Sequence, residues 1–201
     1  MQKIKILALD ISTKTGWSVA EIDDNGYKLL ESGTLDQQKK PDQKYPLNYI
    51  LWALHCYNDI SNLLKLHQPD HIVIEETSKG SKNNYSQKIL EWIHHLVAEH
   101  MCQGDFTGTY NYFYTEEWRR ICGCIMNDEE KRQNKNIREQ RKLGVKVVKN
   151  LEGKRIGKIT KKHTNVRRAN EIFGLDLKLK NEDQADSLLL GYAYYLQNFK
   201  K

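Results

Sequence analysis

Four acidic residues set the chemistry this chain could perform. Asp10 closes the apolar run ILALD, residues 6–10, and Glu75 closes a second such run in HIVIEET, residues 71–77. Asp183 and Asp186 lie in EDQADSLLLGYAYY near the end of the chain. A carboxylate at the end of a buried strand is costly unless something uses it. The Asp183–Asp186 spacing puts both aspartates on one helical face, and Leu188, Leu189, Leu190 and Tyr192 then pack that helix onto a sheet. If the strands ending in Asp10 and Glu75 are neighbours, the helix start can bring all four acids to one spot. Clustered carboxylates raise one another's pKa unless a cation sits among them. Oxygen-only ligands favour Mg²⁺ or Mn²⁺. Two such ions, roughly 3.5–4 Å apart, activate a water and stabilise the leaving oxygen in phosphodiester cleavage. Each acid also has a plainer reading. Asp183 and Asp186 suit the N-terminal end of a helix dipole, and Glu76, facing the opposite way from Glu75, could replace it as a ligand.

The charge distribution supplies a partner for that chemistry. Lys131 to Arg168 holds fifteen Lys or Arg against Glu139 and Glu152, a net of +13 in a chain whose total is +6, so the remainder is −7. A basic block beside an acidic body points to a polyanion, with nucleic acid first. The competing reading is a solvated loop with no ligand.

The elements that must position the acids follow from periodicity. Residues 3–11, 15–22 and 27–35 read as three antiparallel strands, the last two joined at Asp23-Asp24-Asn25-Gly26. Leu47 to Leu66 is a long helix by its three- and four-residue apolar spacing, ended at His67-Gln68-Pro69-Asp70. Residues 71–77 form a short β-branched strand of the buried, parallel kind. Ile89 to Met101 is helical, 109–115 is a strand, and TEEWRRICG is a short helix with Thr115 as N-cap. GVKVVKNLEGK is a strand or a small hairpin. Thr160 to Phe173 is a helix ended by Gly174, and Asp183 to Phe199 is the last helix. The expected fold class is α/β: a mixed five-stranded sheet, three antiparallel strands and then two parallel ones, with helices on both faces.

At 201 residues, 39% hydrophobic and 29% charged, the chain reads as one globular domain rather than a disordered one. No apolar run approaches the roughly 18 residues a membrane span needs. MQKIKILALD has no signal-peptide pattern, so a cytoplasmic location is expected. Cys56, Cys102, Cys122 and Cys124 lack C-x-x-C spacing. Reduced, partly buried thiols are expected, with metal binding or oxidation at Cys122-Gly-Cys124 the minor alternative.

ALDISTKTGWSV, IVIEET and DQADSLLLGYAYY together resemble the three acidic motifs of RuvC-type Holliday junction resolvases, nucleases of the RNase H-like superfamily. Each motif is short, but their order and spacing extend over nearly the whole chain and are closest to the phage-borne branch. The resemblance implies a single RuvC-like nuclease domain over residues 1–201, with a basic inserted segment at about 125–158. It implies a homodimer in a bacterial host cytoplasm that binds four-way junctions and nicks two opposed strands with Mg²⁺ or Mn²⁺. The family's acidic positions fall on Asp10, Glu75, Asp183 and Asp186, as metal ligands and catalytic residues. Arg119 and Lys162 match basic residues near the scissile phosphate.

Two departures bear on substrate choice. Cellular members carry a phenylalanine three residues after the glutamate that stacks on a base at the junction, and here that position is Ser78. Tyr85 is a candidate substitute, because base stacking is worth roughly 1–3 kcal/mol. The basic segment is also longer than the cellular pattern needs. Lys79, Lys82, Lys146, Lys149 and Lys154 are therefore expected to contact DNA backbone, with activity on forks and flaps as well as junctions. The competing readings are an RNase H-type hybrid nuclease, an actin-like ATPase or kinase fragment, and a non-catalytic DNA-binding module. The ATPase reading rests on Asp10, Thr13, Thr15 and Gly16, but it needs a second Gly-rich phosphate loop that the sequence lacks.

Overall fold

The computed structural model describes residues 3–35, 40–76, 84–103, 108–149, 153 and 155–200, the side chains of 84–86 and 100–103 excepted. Strands β1 (Ile4–Asp10), β2 (Gly16–Asp23) and β3 (Gly26–Thr34) form an antiparallel meander. Gly26 makes the β2–β3 turn at φ +115°, a conformation that side chains resist. β4 (His71–Glu75) pairs parallel with β1, and β5 (Thr109–Phe113) pairs parallel with β4. The sheet order β3-β2-β1-β4-β5 puts the two acid-bearing strands side by side at its centre. This is the mixed five-stranded α/β sheet the sequence predicts.

Helices cover both faces because the central strand is apolar on both. Ile6, Leu7, Ala8 and Leu9 are all fully buried. Strand side chains alternate between faces, and the two cores divide accordingly. Ile6, Ala8 and Val73 pack under α3 (Thr115–Cys122), α5 (Lys161–Phe173) and α6 (Glu182–Asn198). Leu7, Leu9, Ile72 and Ile74 pack under α1 (Leu47–His67) and α2 (Asn84–Gln103). Continuing the alternation puts Asp10 and Glu75 on the α6 face and Glu76 on the α2 face.

The basic segment holds a helix where the sequence pattern predicts no element before GVKVVKNLEGK. Asp128 to Lys142 forms a further helix, α4, begun by a capping box in which Asn127 Oδ1 accepts from the Glu130 amide and Glu130 Oε2 accepts from the Asn127 amide, both at 2.9 Å. Three acids open the helix and two bases close it, which suits its dipole. Only Asn134 and Ile137 are buried, so no apolar stripe marked it. Among the described residues of GVKVVKNLEGK and those that follow, the expected strand or small hairpin shows one antiparallel bridge, Lys149 with Arg155, and a bond from the Ile156 amide to the Val148 carbonyl at 3.0 Å.

Thr115 is not an N-cap. The cap position is Tyr114, and Thr115 is the first helical residue with its hydroxyl turned to Glu75. Cys56, Cys122 and Cys124 are free and buried. Burial pushes the Cys56 and Cys124 thiols up to about 11. Among the described residues no helix is long and apolar enough to cross a membrane.

Candidate active site

The register of the central strands places the first two acids. Leu9 lies opposite Ile74 in the parallel β1–β4 ladder, so Asp10 and Glu75 occupy the next position at the same end of the sheet. The other two come from the start of α6, which lies across β1 and β2 on the same face. That helix can come close because of two glycines. A Cβ on Gly16 would sit 1.8 Å from the Asp183 carbonyl oxygen, and one on Gly191 would meet Ala8 Cβ at 3.2 Å. Asp10, Glu75, Asp183 and Asp186 thereby line one cavity of about 350 Å³, together with Lys162 and Glu182.

The electrostatics record how much like charge is gathered there. Loss of hydration, then Glu75, Asp186 and Asp183, raises Asp10 well above the ordinary carboxylate range. Burial pushes Asp186 up to about 7, against the pull of a bond from Asn165 Nδ2 to its Oδ1 at 2.7 Å. Burial also raises Glu75, opposed by Thr115, Trp118 and Arg119. Asp183 is raised by burial and eased by Lys14, whose ammonium lies 3.6 Å away. Among the described residues no three acids, histidines or cysteines already stand in metal-ligating geometry. Instead the acids are held by protein donors. Thr115 Oγ1 donates to Glu75 Oε1 at 2.5 Å, and Trp118 Nε1 donates to Glu75 Oε2 at 2.8 Å.

Cations border the cavity. Lys162 lines it and pairs with Glu182. Arg119 lowers the pKa of both Glu75 and Asp186 and is anchored on Thr164 Oγ1 at 3.1 Å. Glu76 also lines the cavity, but it raises the pKa of His94 and Tyr112 on the α2 side. The alternation of side chains thus favours Glu75 over Glu76 as the partner of Asp10.

Two of the remaining expected contacts separate from this cavity. Lys146 and Lys149 are exposed and do not line it. Ser78, Lys79, Lys82, Lys154 and the Tyr85 side chain lie outside the described residues. Sequence reasoning missed Lys14, Thr115, Trp118 and Asn165 as neighbours of the acids. Lys14 lies four residues after Asp10, a proximity the sequence itself carries. Asn165 carries no sequence signal.

The turn Ser12-Thr13-Lys14 between β1 and β2 is closed by its own bonds. Thr15 Oγ1 donates to the Ser12 carbonyl at 2.8 Å and accepts from the Ser12 amide at 3.2 Å, while Ser12 Oγ accepts from the Lys14 amide at 3.0 Å. With the Asp183 carbonyl lying over Gly16, this is turn chemistry rather than a phosphate cradle.

No family model matches the sequence, and no curated protein is similar to it in sequence. Solved structures are similar in fold. Thermus thermophilus RuvC in complex with a Holliday junction substrate superposes with a TM-score of 0.63 at 9% identity, over 98% of this chain and 98% of that one. A second T. thermophilus RuvC structure gives 0.61 at 11% identity, over 96% and 95% of the two chains. The yeast mitochondrial Holliday junction resolvase Ydc2 gives 0.55 at 12% identity, over 97% of this chain and 81% of that one. The fold of this chain is therefore the one these RuvC and Ydc2 structures share, matched along nearly its whole length.

Proposed function

We propose that this chain is a metal-dependent, structure-selective DNA endonuclease that hydrolyses a phosphodiester in Holliday junctions and other branched DNA. The observation that carries the reading is the meeting of Asp10, Glu75, Asp183 and Asp186 in one cavity, on a fold shared with junction resolvases. The donor set fits an oxygen-loving divalent cation. All four ligating groups are carboxylates, and each is raised by burial, Asp10 and Asp186 further by the other acids of the set. These four residues would hold Mg²⁺ or Mn²⁺, two ions in the full reading. When bound, such ions lower the pKa of the attacking water and stabilise the leaving oxygen.

The chain's own residues do the rest. Thr115 and Trp118 fix the Glu75 carboxylate through both oxygens, and Asn165 orients Asp186. Lys162 and Arg119 bring positive charge to the cavity that a backbone phosphate enters. Lys146, Lys149 and Lys154, with Lys79, Lys82 and Tyr85, extend the contact along the DNA. The resemblance to junction resolvases supports a homodimer, with one active site for each of two opposed nicks.

The deciding experiment is cleavage of labelled four-way junction, fork, flap, linear duplex and RNA–DNA hybrid with Mg²⁺, Mn²⁺ or Ca²⁺. Cutting of junctions and forks with Mg²⁺ or Mn²⁺ is expected. Cutting of the hybrid alone would replace this reading with an RNase H-type one.

A further inference from the structure

The structure holds a second polar cavity, outside the carboxylate site. It has a volume of about 330 Å³ and is lined by Asn134, Ile137, Arg138, Arg141, Lys142 and Lys158. Among the described residues four cations line it and no carboxylate does. The contrast with neighbouring bases is direct. Lys161 pairs with Glu116, Arg167 with Glu130 and Arg168 with Glu171. Among the described residues Arg138, Arg141, Lys142 and Lys158 have no such partner.

The cations are also held in place. Asn134, 8% exposed, donates from Nδ2 to the Ile159 carbonyl at 2.9 Å and accepts the Ile159 amide on Oδ1 at 2.8 Å. Gln133 Nε2 donates to the Gly157 carbonyl at 2.8 Å. These bonds clamp residues 157–159 against α4, so Lys158 faces the helix across the cavity. Ile137, 2% exposed, closes its floor. A solvated charged face would need neither the clamp nor the concavity. Four like charges around one cavity repel, and an anion between them reverses that cost.

We propose that this cavity is a phosphate seat for the DNA backbone, distinct from the site that cuts. The proposal rests on the nuclease reading above and names a contact that reading did not contain. The chain connects the two sites directly. Lys158 and Lys162 are four residues apart, so their Cα atoms are at most about 14 Å apart. The phosphate held by Arg138, Arg141 and Lys158 therefore belongs to the arm beside the scissile bond. The paired guanidiniums suit phosphate geometry better than lysines alone would.

The test compares Asp10→Asn protein with the same protein carrying Arg138→Gln and Arg141→Gln. The readout is anisotropy of a labelled four-way junction across a salt series in Ca²⁺. Loss of one or two phosphate contacts should flatten the slope of log K against log [salt] by about 1–2 and weaken binding about tenfold or more. Arg138→Lys/Arg141→Lys should restore the slope at least in part. A matched control removes Lys28 and Lys65, at the other end of the sheet from Asp10, and should leave the slope as it was. Far-ultraviolet dichroism and a thermal melt confirm that each variant is folded. An unchanged slope and affinity in the Gln variant, or an equal loss in the control, overturns the seat while the nuclease reading stands. If the wild-type chain neither binds nor cuts any of the DNAs, the nuclease reading falls and the seat falls with it.

Discussion

The carbonyl oxygen of Asp183 occupies the place where a Cβ on Gly16 would be, 1.8 Å away. This close approach joins the start of β2 to the start of α6. Gly16 also pairs with Asp10 across the β1–β2 ladder. One glycine therefore sets the distance between the strand-borne acid and the two helix-borne ones. Gly16→Ala should force the first turn of α6 away from the sheet. Overpacking of this kind costs about 1–3 kcal/mol, and here the displaced atoms carry Asp183. The expected outcome is a lowered melting temperature and a loss of cleavage far larger than the loss of DNA binding. A variant that melts and cuts like wild type would mean that α6 can shift without moving the acids.

Asp10→Asn and Asp186→Asn test the carboxylates directly. Each removes a charge that the site would need to hold its cation, while the amide keeps the shape. Cleavage of a four-way junction should fall by more than about a hundredfold, consistent with several kcal/mol of lost charge stabilisation. Junction binding in Ca²⁺ should remain within a few-fold of wild type. Undiminished turnover in either variant would remove that residue from the proposed ligand set.

The sheet and the meeting of the acids were legible because they rest on strong periodic signals. β1 and β4 are apolar runs ending in an acid, and once the β1–β4 register is known the alternation puts Glu75 rather than Glu76 on the α6 face. The supporting donors were not legible, because they depend on where helices cross. Thr115 sits where a cap residue would, yet its hydroxyl is turned to a strand forty residues earlier. Asn165 reaches Asp186 only because α5 packs on α6. The helix α4 was hidden for a different reason: it buries almost no apolar surface, and its only signature is the Asn127–Glu130 capping box.

The raised pKa values of Asp10 and Asp186 make a prediction about stability without metal. Both carboxyls bind their protons more tightly in the folded chain than in the unfolded one. Their contribution to stability is complete below the unfolded carboxylate range, at about pH 4. It is lost as pH rises through the folded value, about 7 for Asp186. In metal-free buffer Asp186→Asn should therefore melt above wild type at about pH 8, by about 2–4 °C for each kcal/mol relieved. The gap should close at about pH 5. Adding Mn²⁺ should raise the wild-type melting temperature and leave the variant nearly unmoved. A gap that is the same at both pH values would show that the like charges do not interact as their placement requires.

Thr115→Val separates orientation from charge. The substitution keeps the volume and removes one of the two donors on Glu75, leaving Trp118 Nε1 at 2.8 Å. Loss of an outer partner of this kind lowers metal affinity by about 10–100-fold in metal sites. The Glu75 carboxyl, already raised by burial, should rise further without the Thr115 bond that opposes it. The half-saturating Mg²⁺ concentration for cleavage should therefore increase by about that factor, while the rate at saturating Mg²⁺ recovers most of the wild-type value. DNA affinity in Ca²⁺ and the salt slope should not change, because Thr115 carries no charge to a phosphate. A rate that stays low at every Mg²⁺ concentration would instead place the Thr115 hydroxyl in contact with the reacting groups.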